Sequence, residues 1–150
     1  MSFKREKTAQ KIYSHIGGKS PLLEETEKQA EALKESLSQK INTNFEVFIS
    51  MRYWHPMSDE VIMKLKKYSP DEVILLPLYP QFSTATTFSS ISDFTEKMDK
   101  KMNKDVARKV ICCYPTEQSF IKAHVDLISK EIKDKKIIEY YFLLMGYQKE

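Results

Sequence analysis

The stretch Glu72-Val73-Ile74-Leu75-Leu76-Pro77-Leu78-Tyr79-Pro80-Gln81-Phe82-Ser83-Thr84-Ala85-Thr86-Thr87-Phe88 decides how the chain is read. An apolar run starting at Val73 is halted by Pro77-Leu78-Tyr79-Pro80, a short polar turn follows, and a helical pattern takes over. Strand, loop and helix in that order belong to an open α/β sheet, where ligands sit against the loops that leave the carboxyl ends of strands. Tyr79, Gln81, Phe82, Ser83 and Thr84 offer ring faces and neutral hydrogen-bonding groups. The glycines of a phosphate cradle are missing from this loop.

The same alternation continues outward. Upstream, Phe45 to Met51 reads as a strand running into Arg52-Tyr53-Trp54-His55-Pro56, with a helix from Ser58, its expected cap, to about Ser69. Val61, Ile62 and Leu65 form the apolar side of that helix. Downstream, a helix over 87–102 turns Phe88, Ile91, Phe94, Met98 and Met102 to one side. A strand over 107–114, a helix over 117–135 with Ile121, Val125, Ile128 and Ile132 inward, and an apolar strand over 137–145 follow. Nearer the start, 3–15 is helical. Ile16-Gly17-Gly18-Lys19-Ser20-Pro21 then breaks the chain, and 21–41 forms a long amphipathic helix with Leu22, Leu23, Ala30, Leu33, Leu37 and Ile41 in one stripe. Ser20 is placed to cap it and Pro21 to open it. Strands alternating with helices predict one α/β domain, a four-stranded parallel sheet with helices on both faces.

Composition narrows the function classes. The 150 residues fit a single domain, with 41% hydrophobic and 30% charged residues. A net charge of +3, with lysines interleaved among acids, gives no nucleic-acid footprint. No apolar run reaches the length of a membrane span, and the N-terminus lacks an apolar signal core. Cys112 and Cys113 are adjacent in an apolar segment. Neighbours on a strand face opposite ways, so the expectation is two reduced core thiols and a cytoplasmic protein. His15, His55 and His124 are the only histidines and lack metal-ligand spacing. His124 is expected to be structural. Gly17-Gly18-Lys19-Ser20 precedes a helix without Walker spacing, so it reads only weakly as an anion site.

Arg52-Tyr53-Trp54-His55 falls at the same sheet edge as the 79–86 loop. A cation, ring faces and hydroxyls on one rim suit a flat ligand bearing carboxylates. The alternative from these residues alone is structural: Tyr53 and Trp54 cap the core while Arg52 makes a surface ion pair.

Three motifs go further. Tyr13-Ser14-His15-Ile16-Gly17-Gly18-Lys19-Ser20-Pro21 matches Y-x-x-I-G-G-x-S-P, Met51-Arg52-Tyr53-Trp54-His55-Pro56 matches M-R-Y-x-x-P, and Leu76 to Thr86 matches L-P-L-Y-P-Q-[FY]-S-x-x-T. In order and with natural spacing, they resemble ferrochelatase, the enzyme that inserts ferrous iron into protoporphyrin IX to form protoheme. The resemblance implies a Rossmann-like chelatase half and no resident cofactor, with porphyrin and iron as substrates. It implies that Tyr13 and Ser20 line the porphyrin cleft, that Arg52 and Tyr53 form its floor, and that Tyr79, Gln81, Ser83 and Thr86 border the macrocycle. Peripheral membrane contact and self-association through an exposed sheet edge are compatible with it.

The chain departs from the family pattern at both ends. The family's first strand, with its N-L-G-G-P-type loop, has no match here. Nor has F-S-x-H-[GS]-[LI]-P, which carries the family's catalytic His: after Leu144 the sequence reads Met145-Gly146-Tyr147-Gln148-Lys149-Glu150. The expectation is a truncated or frameshifted N-terminal chelatase domain without its C-terminal partner. It would hold no catalytic residue and no metal ligand, and would be inactive alone. A non-catalytic porphyrin binder, a degenerate fragment and a small homodimeric chelatase remain as alternatives.

Overall fold

In a computed structural model, residues 10–15, 17–102 and 105–132 are described. The first strand, β1 (Glu72–Leu75), holds Val73 8% exposed against two helices. One is α2 (Ser58–Tyr68), the other α3 (Ser89–Lys101); α1 (Leu22–Ser38) precedes both. Val61, Ile62 and Leu65 come from α2 and Phe94 and Met98 from α3, at the i, i+4 spacing that stacks side chains on one helical face. With Val73 they make the core, and Phe48, Leu75, Met102 and Val106 pack around it. The predicted apolar faces of these two helices are therefore largely realised. Phe88, expected on the same face, is exposed.

β1 pairs in parallel with β2 (Ala107–Val110), in the register Glu72 to Ala107 through Leu75 to Val110. Parallel neighbours need a crossover, here the 76–88 loop and α3. Two of the predicted strands thus pair, each shorter than expected. Residues 45–51 form no ladder; Met51 makes an isolated bridge to Met57. An apolar run shows that a segment wants burial, but only a paired neighbour makes it a strand, and sequence pattern does not name the neighbour. The predicted strand 137–145 lies outside the described residues, as does most of the first predicted helix, of which 10–14 is helical.

Two expectations of burial are corrected. α1 buries no residue, and Leu22, Leu33 and the following Ile41 are exposed. α4 (Gln118–Ile132) buries none either, leaving Ile121 and Val125 exposed. Leu23, Ala30 and Leu37 on α1 and Ile128 and Ile132 on α4 are half-buried, so each stripe is only partly covered among the described residues. Among the described residues, the buried core draws on α2, α3 and β1 alone. Cys112 and Cys113, expected as core thiols, are both exposed for the same reason. A hydrogen bond from Cys113 pushes the Cys112 thiol above its usual value.

Local rules explain the helix ends. Ser20 Oγ accepts from Leu22 N at 3.3 Å, but Pro21, at φ −76°, is itself the N-cap of α1, one residue later than the expected cap at Ser20. α2 is capped differently from expectation. Met57 is the N-cap and Glu60 accepts from its amide at 3.3 Å, while Ser58 is already helical and its hydroxyl is used elsewhere. α2 stops at Ser69, which is left-handed at φ 57° and donates its amide to Leu65 O at 2.8 Å. A side chain is strained there and glycine is not. Ser69→Gly should therefore raise stability by about 1 kcal/mol, read as a higher urea midpoint; an unchanged or lower midpoint would contradict this cap.

Candidate functional site

Residues 52–57 leave the 45–51 segment as a tight turn, with Met51 N donating to Pro56 O at 2.8 Å and a cis His55–Pro56 bond. The turn directs Arg52 onto α3. Its Nε donates to Ser89 Oγ at 3.1 Å, and a terminal nitrogen pairs with Asp93 Oδ1 at 3.5 Å. The guanidinium also lies over the Tyr53 ring, 4.7 Å from its centre, at cation–π distance. The Tyr53 hydroxyl reaches Ser89 Oγ at 3.5 Å. Arginine has five N–H donors in a planar fork. With Nε and one terminal nitrogen engaged, the other terminal nitrogen has no hydrogen-bond or ion-pair partner among the described residues.

Asp93 anchors the group. Its side chain is 15% exposed, and it accepts from Ser58 Oγ at 2.6 Å and Lys97 Nζ at 3.2 Å. Burial pushes the carboxyl upward, but Ser58, Lys97 and Arg52 together outweigh it and hold Asp93 below the usual carboxylate range. Lys97 continues to Asp59 at 3.0 Å, and Asp59 pairs with Lys101, so the first turn of α2 is clamped along α3. His55 is held by Glu60, which that contact keeps below the usual carboxylate range, and is thereby tied to α2.

The 79–86 loop is built from its own hydroxyls. Ser83 Oγ accepts from Ala85 N at 3.2 Å and caps a π-helical turn, Thr84–Phe88, that runs directly into α3. Thr87, fully buried, donates its hydroxyl to Gln81 O at 3.3 Å. Tyr114 N donates to Pro80 O at 2.9 Å and ties the exit of β2 to the loop. Tyr79 and Gln81 are exposed, Ser83 and Thr86 half-buried.

The structural alternative for the 52–55 stretch is therefore half met. Arg52 does make an ion pair, but Tyr53 and Trp54, 73% and 65% exposed, cap nothing. The structure joins Arg52 and Tyr53 through Ser89. Among the described residues, no hydrogen bond or ion pair joins them to Tyr13, Ser20, Tyr79, Gln81, Ser83 or Thr86. Tyr13 is exposed, and its carbonyl accepts from Gly18 N at 2.7 Å. His124 is exposed, with Nδ1 2.8 Å from Phe120 O. Ser89, Asp93 and Lys97 were not among the expected site residues, and Ser58 was expected only as a helix cap. The signal was present: Ser89, Asp93 and Lys97 recur at i, i+4 on one polar face of α3.

Comparison with known proteins now bears on this geometry. The family model for ferrochelatase matches residues 1–147. The chain belongs to the ferrochelatase family. The ferrochelatase of Rickettsia bellii (strain OSU 85-389) is 57% identical over 135 residues, 90% of this chain and 37% of that protein. That of Rickettsia conorii (strain ATCC VR-613 / Malish 7) is 55% identical over 90% of the chain and 38% of its own length. A Wolbachia ferrochelatase (sp. subsp. Drosophila simulans, strain wRi) is 53% identical over 89% and 42%. The chain thus spans about two fifths of the curated ferrochelatases it matches. Among the described residues, no helix is long and apolar enough to cross a membrane, and no group of three or more His, Cys, Asp or Glu is placed to hold a metal ion.

Proposed function

We propose that these residues form one wall of a porphyrin site for ferrochelatase chemistry, the insertion of ferrous iron into protoporphyrin IX in haem synthesis. Iron and porphyrin are substrates on this reading, and no resident cofactor is invoked. The observation that carries it is the Arg52–Tyr53 pair, held on α3 by Ser89 and Asp93, in a chain of this family.

Arg52 offers its remaining terminal N–H groups to a propionate, and Tyr53 offers a ring face beside it. Tyr79, Gln81, Ser83 and Thr86 border the macrocycle from the loop, and Tyr13 and Ser20 line the cleft. A cleft gripping a porphyrin on several sides can bend it so that a pyrrole lone pair turns toward the metal. Two pyrrole protons must then leave to a general base. The family's His motif has no match in these residues, which read Met145-Gly146-Tyr147 where it would fall. The 150 residues act as a partial chelatase domain that binds porphyrin without metallating it, in a cytoplasmic setting.

Soret-band titration with protoporphyrin IX tests this. Saturable binding is expected, weakened about tenfold or more in Arg52→Ala by loss of a charge-assisted hydrogen bond. Zinc added to the complex should produce no growth of zinc-porphyrin fluorescence. Absence of any Soret shift would overturn the binding role, and rapid metallation would overturn the missing base.

A further inference from the structure

Cys112 and Cys113 are the only cysteines of the sequence, and both are free and exposed. Successive side chains on a strand point to opposite faces. The ladder of β2 ends at Val110, however, and the two thiols beyond it share a hydrogen bond. The backbone that carries them is fixed on both sides. Ile111 N donates to Leu75 O at 2.9 Å just before the pair, and Tyr114 N donates to Pro80 O at 2.9 Å just after it. The Tyr114 ring packs edge-on against Phe120, with ring centres 6.0 Å apart, so the second pin is itself anchored on α4.

Two sulfurs in contact can close on each other or on a third atom. Direct closure is disfavoured here. A disulfide usually spans Cα atoms about 4.4–6.8 Å apart, whereas neighbours across a trans peptide hold theirs about 3.8 Å apart. A bridging atom removes that conflict. Around a tetrahedral ion with bonds of about 2.3 Å, two thiolate sulfurs stand about 3.8 Å apart, a separation that thiols already in contact reach with little movement. Thiolates select soft ions over the hard cations that carboxylates and carbonyls hold.

We propose that Cys112 and Cys113 clasp a single thiophilic divalent cation of the zinc and cadmium class, one ion per chain, at the carboxyl end of β2. Each thiol loses its proton to solvent and donates a sulfur lone pair to the ion, and water completes the tetrahedron. No electron changes hands. The two backbone pins hold the pair in place before the ion arrives, so little ordering is left for binding to cost. No residue of the Arg52 network takes part, and the ion's seat is the same whether or not a porphyrin binds.

Titration of the full, reduced, metal-free chain with cadmium chloride tests this. A sulfur-to-cadmium charge-transfer band in the ultraviolet should saturate at one ion per chain. Both thiols should then react about tenfold or more slowly with a thiol-specific reagent, since the ion holds the thiolates that would attack it. Cys112→Ser and Cys113→Ser should each weaken binding by about tenfold or more. Their far-ultraviolet circular dichroism should be unchanged, because both side chains are exposed; Cys112→Ala and Cys113→Ala should behave alike. Magnesium at the same concentration should not compete. Absence of the band, protection of only one thiol, or unweakened binding in either single variant would overturn the clasp. Saturation at half an ion per chain with formation of a dimer, the mark of an ion shared between two copies, would overturn it too.

Discussion

Ile62→Ala should remove about 2–5 kcal/mol of stability, the usual loss for truncating a fully buried isoleucine. Ile62 is 0% exposed and is one of six buried apolar residues among the described ones. A domain's whole stability is roughly 5–15 kcal/mol, so this one change takes a large share. In urea denaturation the midpoint should fall far below that of Met63→Ala, whose side chain on the same helix is 59% exposed. Equal midpoints for the two variants would show that α2 does not bury this face.

The second large effect belongs to Asp93. Asp93→Ala strands the buried Ser58 hydroxyl and the Arg52 and Lys97 charges, at about 1–3 kcal/mol. The native carboxyl lies below its unfolded value, so its contribution is full above the unfolded pKa of about 3.9 and fades as pH falls through the lower native one. The native chain should therefore lose stability on acidification below about pH 4 more steeply than Asp93→Asn. Parallel pH profiles for the two proteins would dismiss the ion pair as a stabilising element.

What the sequence made legible follows from what is local. α2 and α3 were readable because Val61, Ile62, Leu65, Phe94 and Met98 repeat at helical spacing and meet across β1 and the loop that follows it. The loop between β1 and α3 was readable from its prolines and hydroxyls. Pattern says nothing about what lies against an apolar stripe. Leu33 on α1 and Val125 on α4 obey the helical period and still face outward. The site divides along the same line. Arg52 and Tyr53 were found because a cation beside rings at a strand's end is a local signal. Asp93 and Ser58, which hold Arg52 in place, are 35 residues apart and meet only in the fold.

The π-helical turn at Thr84–Phe88 has a consequence for insertions and deletions. Phe88 N bonds to Ser83 O, five residues back, so this turn carries one residue more than an α-helical turn would. Each residue of an α-helix turns the chain by about 100°. The rim of Tyr79, Gln81 and Ser83 is thus phased against α3 by a residue count. Dropping a single residue there would let an ordinary helix form and leave the core of α3 in register, yet swing the rim about a quarter turn away from Arg52. The family's gap pattern should therefore avoid this one turn even where loops elsewhere vary in length.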